Sequence, residues 1–432
     1  MALTKVNNRM IDGAQINVLD FGATGDGTTN DTTAVQAAIN ASGGKPVVFN
    51  AGKTFLCTAL TVTSNTHLII NGTLKSHASI GSNPLISGST VSNVIIEGSG
   101  IVDGNKSNVG SVNSTGIYLA TATNCRVQDI TIQNCYLQND PGIDGAGLWI
   151  EGGSGNCAIN VTSDNHRGNG FVFGNNTDSY TQNCRASNNT VGSGIAHTRG
   201  VRAKSINDFA DSNGYSNITI NCEESQILYP TSRNSGFTGI NIGHDSQASD
   251  ASRTTLVGGV SENNNYDGVT ITGSDDVTII GVYCDGNGAN GSSNDRYGIN
   301  ALANVNRLHV IGAKVTGSKN SGLRILEGEG HMIESSKFYE NDRTGIATTA
   351  DKVQIIGCDV FNNNQLGGTN RAGIQFLTSG GRSSDNCVVS NCNLYDDQST
   401  ATQDYGVQAT TGTHYVNNCT FSGNDVSETD NS

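Results

Sequence analysis

One short pattern, a glycine followed by aliphatic-x-apolar, recurs down most of this chain and narrows its possible folds more than any other feature. It stands at Gly116-Ile117, Gly147-Leu148, Gly170-Phe171, Gly194-Ile195, Gly239-Ile240, Gly268-Val269, Gly298-Ile299, Gly322-Leu323, Gly345-Ile346, Gly373-Ile374 and Gly406-Val407. Successive spacings are 31, 23, 24, 45, 29, 30, 24, 23, 28 and 33 residues. A period that never falls below 23 and only lengthens describes a coil of fixed circumference with residues inserted at its corners. The stretch from Gly322 to Asn364 states the unit and begins it again: Leu323-Arg324-Ile325, Met332-Ile333-Glu334, Lys337-Phe338, a polar turn at Asn341-Asp342, then Gly345-Ile346. Each piece alternates apolar and polar over three to five residues, too short for a helix and right for strands. Gly, Asn, Asp and Ser between the pieces tolerate turn conformations. No single coil can bury its own inner face, so the stack must supply the core.

The expected fold is all-β: a single-stranded, right-handed parallel β-helix (solenoid) with a short N-terminal capping helix. Neighbouring strands lie about 4.8 Å apart, so about a dozen coils make a rod on the order of 60 Å. The residues after each glycine, Ile117, Leu148, Phe171, Ile240, Val269, Ile299, Leu323, Ile346 and Ile374, are expected as one interior row. The next residue in each strand points outward, giving an outer row Tyr118, Trp149, Val172, Ala196, Asn241, Thr270, Asn300, Arg324, Ala347, Gln375 and Gln408.

Composition agrees where it bears on this. Gly counts 55 and Pro 4, which suits tight turns between short strands and argues against a Pro-rich linker. A net charge of −14 disfavours nucleic acid and anionic membrane as partners. Seven of the 11 cysteines (Cys135, Cys184, Cys222, Cys284, Cys358, Cys392 and Cys419) fall at matching places in the second strand of a coil and read as an interior ladder of small side chains. Stacked coils can bring such cysteines within disulfide reach, but the odd total and the lack of an export signal favour free thiols. The N-terminal MALTKVNNRMIDGAQ has no signal-peptide core, and no run approaches the roughly 20 apolar residues of a membrane helix. The expectation is synthesis in the cytoplasm without a signal peptide, and no membrane insertion.

Four segments follow: residues 1–16, a docking or disordered lead; 17–60, a cap of strand, turn and helix with the first strands; 61–421, the β-helix; and 422–432, an acidic tail. In the cap, Val18-Leu19 reads as a strand, GATGDG as a turn cluster, and Asn30 or Asp31 as the N-cap of a helix to about Ala41. Val35, Ala38 and Ile39 give that helix one apolar face to lay over the open end of the solenoid.

The run NVLDFGATGDGTTNDTTAVQAAI resembles the N-terminal cap of pectate-lyase-like β-helices. Preceded by LTKVNNRMIDGA, it resembles in particular the N-terminal region of phage tailspike and tail-fibre proteins. The resemblance implies a virion tail protein acting at the host cell surface. It implies a homotrimer joined through its N-terminus to phage tail or baseplate proteins, which binds and often cleaves a host cell-surface polysaccharide. Such spikes often carry a C-terminal trimerisation module; here coils continue to Thr420-Phe421 and only SGNDVSETDNS follows. A tail fibre of the same fold that only binds, and a free polysaccharide lyase or glycosidase, stand as alternatives.

Chemistry is sought on the outer face from Trp149, the sole tryptophan, to Asp267. An indole there offers a plate for a sugar face. Glycosidic hydrolysis needs two carboxyls roughly 5–10 Å apart, and Glu151, Asp144 and Asp245 are the catalytic candidates, with Asp267 in reserve. A lyase would use a base beside basic groups that neutralise a uronate. His166, Arg167, His197, Arg199, Arg202 and His244 join Trp149 as glycan-binding candidates. The 45-residue gap after Gly194 reads as a long loop bounding this site, and SQASDASR at 246–253 as a second insertion. Asp and Asn are also ordinary turn residues in such a chain. There is no zinc-type Cys/His spacing, nucleophile elbow or P-loop, and no metal or cofactor is implied.

Overall fold

The computed structural model describes residues 15–110, 113–136, 145–243, 251–289, 296–368, 371–379, 381–424 and 427–430. The chain divides into two compact units, residues 1–209 and 210–432. Both are built from the same parallel coil of three short strands, each belonging to a different sheet.

In the first unit, Ile117–Thr123 pairs with Leu148–Ser154, which pairs with Phe171–Gly174, which pairs with Ile195–Val201. The register sets Ile117, Leu148, Phe171 and Ile195 side by side, all fully buried. In the second unit Ile240, Val269, Ile299, Leu323, Ile346 and Ile374 form the corresponding row. Full burial of such a side chain is worth about 1.5–3 kcal/mol, which makes these rows the principal source of cohesion. In the other two sheets most strands bury only the middle of three residues, as in Arg126–Gln128 and Thr131–Gln133.

The opening glycines are required by space. A Cβ on Gly147 would lie 2.4 Å from Ser163 Oγ, and one on Gly298 2.1 Å from Val315 Cγ1. This explains how the sequence misleads after Gly194. The 45-residue gap holds no long loop but a further coil, with strands Lys204–Ile206, Phe209–Asp211 and Ile218–Glu223. Its opener is Asn217, 23 residues after Gly194 and 22 before Gly239. The Asn217 amide is accommodated by a small neighbour, donating to Ser232 Oγ (3.0 Å) and Arg233 O (2.7 Å) while accepting from Asn213 (2.7 Å).

Corners are made by residues in the left-handed region, most often Asn: Asn124, Asn134, Asn160, Asn165, Asn183 and Asn188 all have φ between 52° and 59°. Asn tolerates this conformation better than other side chains bar glycine. All 11 cysteines are free thiols, and every one but Cys419 is buried.

The cap departs from the sequence reading in one detail. Val18–Phe21 is a 3₁₀ turn, and the strand is Ile16–Asn17. Asn17 Oδ1 accepts from Leu19 N (2.9 Å) and Gly22 closes the turn at φ 95°, so local capping outweighs the β-branched character of Val18. The helix is Thr32–Asn40, with Val35, Ala38 and Ile39 buried. Asn30 Oδ1 receives Thr32 N, while the Asp31 carboxylate receives Thr24 N and Gly25 N. Gln36 then binds both Thr61 N and Thr61 O, satisfying backbone groups of Leu60–Thr61, the edge strand of its sheet.

Candidate functional site

The register carries Tyr118 onto Trp149 on the outer face of the first unit. Their rings meet at 4.6 Å between centroids, tilted by 50°. With Ser82, Pro84, Asn113 and Thr115 they line a surface pocket of about 300 Å³. Glu151 follows two residues along the strand and therefore shares the outer face. Trp149 Nε1 donates to Glu151 Oε2 at 3.1 Å, and Asn175 Nδ2 donates to Oε1. The carboxylate lies against Gly174, where a Cβ would be 2.1 Å from Oε2. The arrangement is a half-buried aromatic pair beside a carboxylate whose two oxygens are oriented by fixed donors.

Two of the expected glycan ligands are corrected by their burial. His166 is fully buried and occupies a corner position that other coils fill with Asn. Cys135 N–H donates to its Nδ1 at 3.0 Å, as His166 N–H donates to Asn189 Oδ1 at 3.2 Å. Its Nε2 meets Ser163 Oγ at 2.9 Å, and that hydroxyl donates to Gly170 O. His197 is equally buried: it is the second interior residue of Ile195–Val201 and stacks on Phe173 at 4.9 Å. Its Nε2 faces Thr181 Oγ1, which donates to the buried Asp208 carboxylate. Burial lowers both imidazoles to about 3, so neither can meet a sugar or carry charge at neutral pH.

Two of the arginines hold structural partners. Arg202 makes a bidentate pair with Asp178 (2.6 and 2.9 Å) at an exposed corner, with φ 56°. Arg167 donates to Tyr136 Oη at 2.8 Å and lies over that ring. Arg199 is exposed, near the end of Ile195–Val201. Asp144, His244 and Asp245 lie outside the described residues.

Asp267 belongs to the second unit and is buried. Its Oδ1 receives Tyr297 N (2.8 Å), and its Oδ2 receives Thr270 Oγ1 (2.8 Å) and Asn300 Nδ2 (2.9 Å). Burial pushes its acid up to about 6 against the opposing pull of those bonds. With its oxygens taken by neighbours, it ties the corner of its coil and is not placed to attack a sugar on the face.

The outer row read from the sequence sets Tyr118 beside Trp149, as the register has it, but sequence reasoning missed Gly174 and Asn175 beside Glu151. Adding the shortest spacing, 23 residues, to Glu151 lands on Gly174 and would have found both.

Residues 15–224 match the family model described as rhamnogalacturonase A/epimerase, pectate lyase-like. One curated relative, "Depolymerase 1, capsule K30/K69-specific" of Klebsiella phage K5-2, is 55% identical over 42 residues, which are 10% of this chain and 5% of that protein. The tailspike protein of E. coli bacteriophage HK620, solved with a pentasaccharide, is similar over 94% of this chain and 78% of its own, at 13% identity and TM-score 0.57. Pre-mature bacteriophage phi29 gene product 12 is similar over 93% of this chain and 66% of its own, at 15% identity and TM-score 0.59. At these identities the structural likeness is one of fold. By sequence across its first half and by fold across most of its length, the chain is similar to pectate-lyase-like parallel β-helices, phage tailspikes among them.

Proposed function

We propose that this chain is a phage tailspike that recognises a host cell-surface polysaccharide on the Tyr118–Trp149 face and processes it beside Glu151. The observation that carries the reading is the aromatic pair over its pocket with an oriented carboxylate alongside. A tilted aromatic pair suits the apolar face of a pyranose, and a carboxylate beside it suits hydroxyls or a developing positive charge. The depolymerase relative and the tailspike bound to a pentasaccharide support the substrate class. In a hydrolase, Glu151 takes the ionised role and a second carboxyl, Asp144 by sequence, supplies the proton. The virion tail is the proposed location, the homotrimer the proposed assembly, and residues 1–16 the proposed attachment to tail or baseplate proteins.

A specific observation favours the binding-only reading as the alternative. Both Glu151 oxygens accept hydrogen bonds, from Trp149 and Asn175, which suits a fixed acceptor better than a group that trades protons. The purified chain incubated with polysaccharides of candidate hosts separates the cases. New reducing ends mean hydrolysis and new unsaturated ends mean elimination. Binding with neither leaves an adhesin, and no binding to any host polysaccharide overturns the reading. Light scattering tests the trimer, and virion incorporation after deletion of residues 1–16 tests the attachment.

A further inference from the structure

In the second unit, the residue two places before each coil opener forms a column that reads Tyr215, Phe237, Tyr266, Arg296, Asn320, Arg343, Arg371 and Asp404. It is aromatic through Tyr266, then holds Arg296, Arg343 and Arg371 with Asn320 among them, and ends on Asp404. The Tyr215 and Phe237 rings stack at 4.9 Å and 6°, and Tyr266 follows at 4.5 Å from Phe237. The Arg296 guanidinium covers the far side of Tyr266 at 4.6 Å. Tyr215 is 47% exposed, so this end of the ladder is open to solvent.

Beyond Arg296 the column enters a pocket of about 170 Å³ lined by Tyr297, Asn320, Arg324, Arg343, Arg371 and Gln375, among others. Arg324 comes from the outer row of the adjoining sheet and lies 5.1 Å from the centre of the Tyr297 ring. Among the described residues, three arginines and no carboxylate line this pocket. Two acids act on its arginines from beside it: Asp404 receives Arg371 N at 2.9 Å and faces its charge, and Asp267, closed by Tyr297, Thr270 and Asn300, feels the charge of Arg324. Burial, and then the charge of Arg343, hold the Arg371 guanidinium below its ordinary value, while Asp404 offsets them in part. Two cations crowded at a half-buried place in a protein of net charge −14 are a local inversion of its field.

Guanidinium groups bind carboxylates bidentately, and rings bind the apolar faces of sugars. Three coil steps separate Tyr266 from Arg343, about 14 Å at the usual strand spacing, so one oligosaccharide can touch both. We propose that this column is a carbohydrate site for an acidic polysaccharide, in which sugar rings lie along the outward edges of Tyr215, Phe237 and Tyr266 and a carboxylate-bearing residue seats among Arg324, Arg343 and Arg371. The inference rests on the glycan-recognition reading and adds to it the charge of the substrate and a place apart from Trp149.

The test uses the full chain on immobilised bacterial surface polysaccharides, each in native form and after chemical reduction of its carboxylates to alcohols. Polysaccharides that bind should carry carboxylates, and reduction should weaken binding at least tenfold. The double variant Arg343→Gln/Arg371→Gln should reproduce that loss on the native polymer and flatten the dependence of binding on salt, with Arg371→Lys recovering part of it. Reduced polymers bound as tightly as native ones, or a folded arginine variant binding like wild type, would overturn the acidic site while glycan recognition stood. No polysaccharide bound in either form would overturn both. The carboxyl-reduction arm needs no variant, so it decides even if the arginine variants fold poorly.

Discussion

Trp149 Nε1 and Glu151 Oε2 lie 3.1 Å apart on the outer face of one strand, so a ring and a carboxylate are held as one unit. Replacing Trp149 with Ala removes both the plate and a donor to the acid. Glycan binding should weaken by roughly 1–3 kcal/mol, the range for losing a large apolar contact. Glu151→Gln keeps the shape and one acceptor, and should abolish turnover while binding falls little. Titration calorimetry and an end-group assay check the two, and unchanged values in both variants would move the site off this face.

Gly174 offers a test of Glu151 that leaves Glu151 in place. A Cβ at 174 would sit 2.1 Å from Oε2, the far end of a flexible side chain, so the carboxylate must swing away while the backbone stays. Gly174→Ala should keep the melting temperature within a few degrees, since displacing one flexible, half-exposed side chain costs about 1 kcal/mol or less. Turnover should drop at least tenfold. Full activity in a folded Gly174→Ala protein would deny the carboxylate position any role.

His166 predicts a signed dependence on pH. Its ordinary value is 6.5 and burial lowers it to about 3. Between those values the unfolded chain binds a proton that the folded one refuses, so this group's contribution to stability is lost as pH falls through that window. Asp208 and Asp267, raised from 3.8 to about 6, act oppositely: the folded state holds their protons first, and their contribution is lost as pH rises through that interval. His197 and His331, lowered to about 3 and about 4, act with His166, so the opposing slopes cancel only in part between about pH 4 and 6. His166→Asn restores the side chain of the equivalent corners. Its unfolding free energy relative to wild type should climb as pH drops from 6.5 toward 3, by up to about 1.4 kcal/mol per pH unit at the steepest. A difference that stays flat with pH would mean that His166 does not titrate as a buried neutral ring.

The thiols give a simpler check. Of 11 free cysteines only Cys419 is partly exposed. A thiol reagent added to the native protein should modify about one group quickly, and all 11 after denaturation. Reductant should leave the melting curve unchanged, because no disulfide is there to break. Fewer than 11 titrating thiols after denaturation without reductant would show that stacked cysteines had paired.

The sequence made the coil legible because its cause is local and repeated. Each opener needs a residue small enough to clear the core of its own coil, and each corner needs a left-handed φ, so Gly and Asn mark both in the text of the chain. The same rule failed at Asn217, where the space for a side chain is made by Ser232, a residue on a different strand. A complete coil consequently read as a long loop, and a site boundary was drawn where none exists.

Which face a polar residue serves was settled only by the stack. Trp149 and Glu151 fall outward by strand alternation, which sequence supplies. His166 and His197 sit among residues of the same composition, yet both point inward: one at a corner that Asn fills elsewhere, the other in register with Phe173. Burial of an imidazole depends on what the coils before and after it present, and a single strand does not carry that information. The chain alone thus determined the repeat, its interior rows and its capping helix, since short-range sterics and period-2 alternation write themselves into residue order. Only the tertiary structure gathered Glu151 with Asn175, and Arg324 with Arg343 and Arg371, because those meetings depend on coil register and corner shape over dozens of intervening residues.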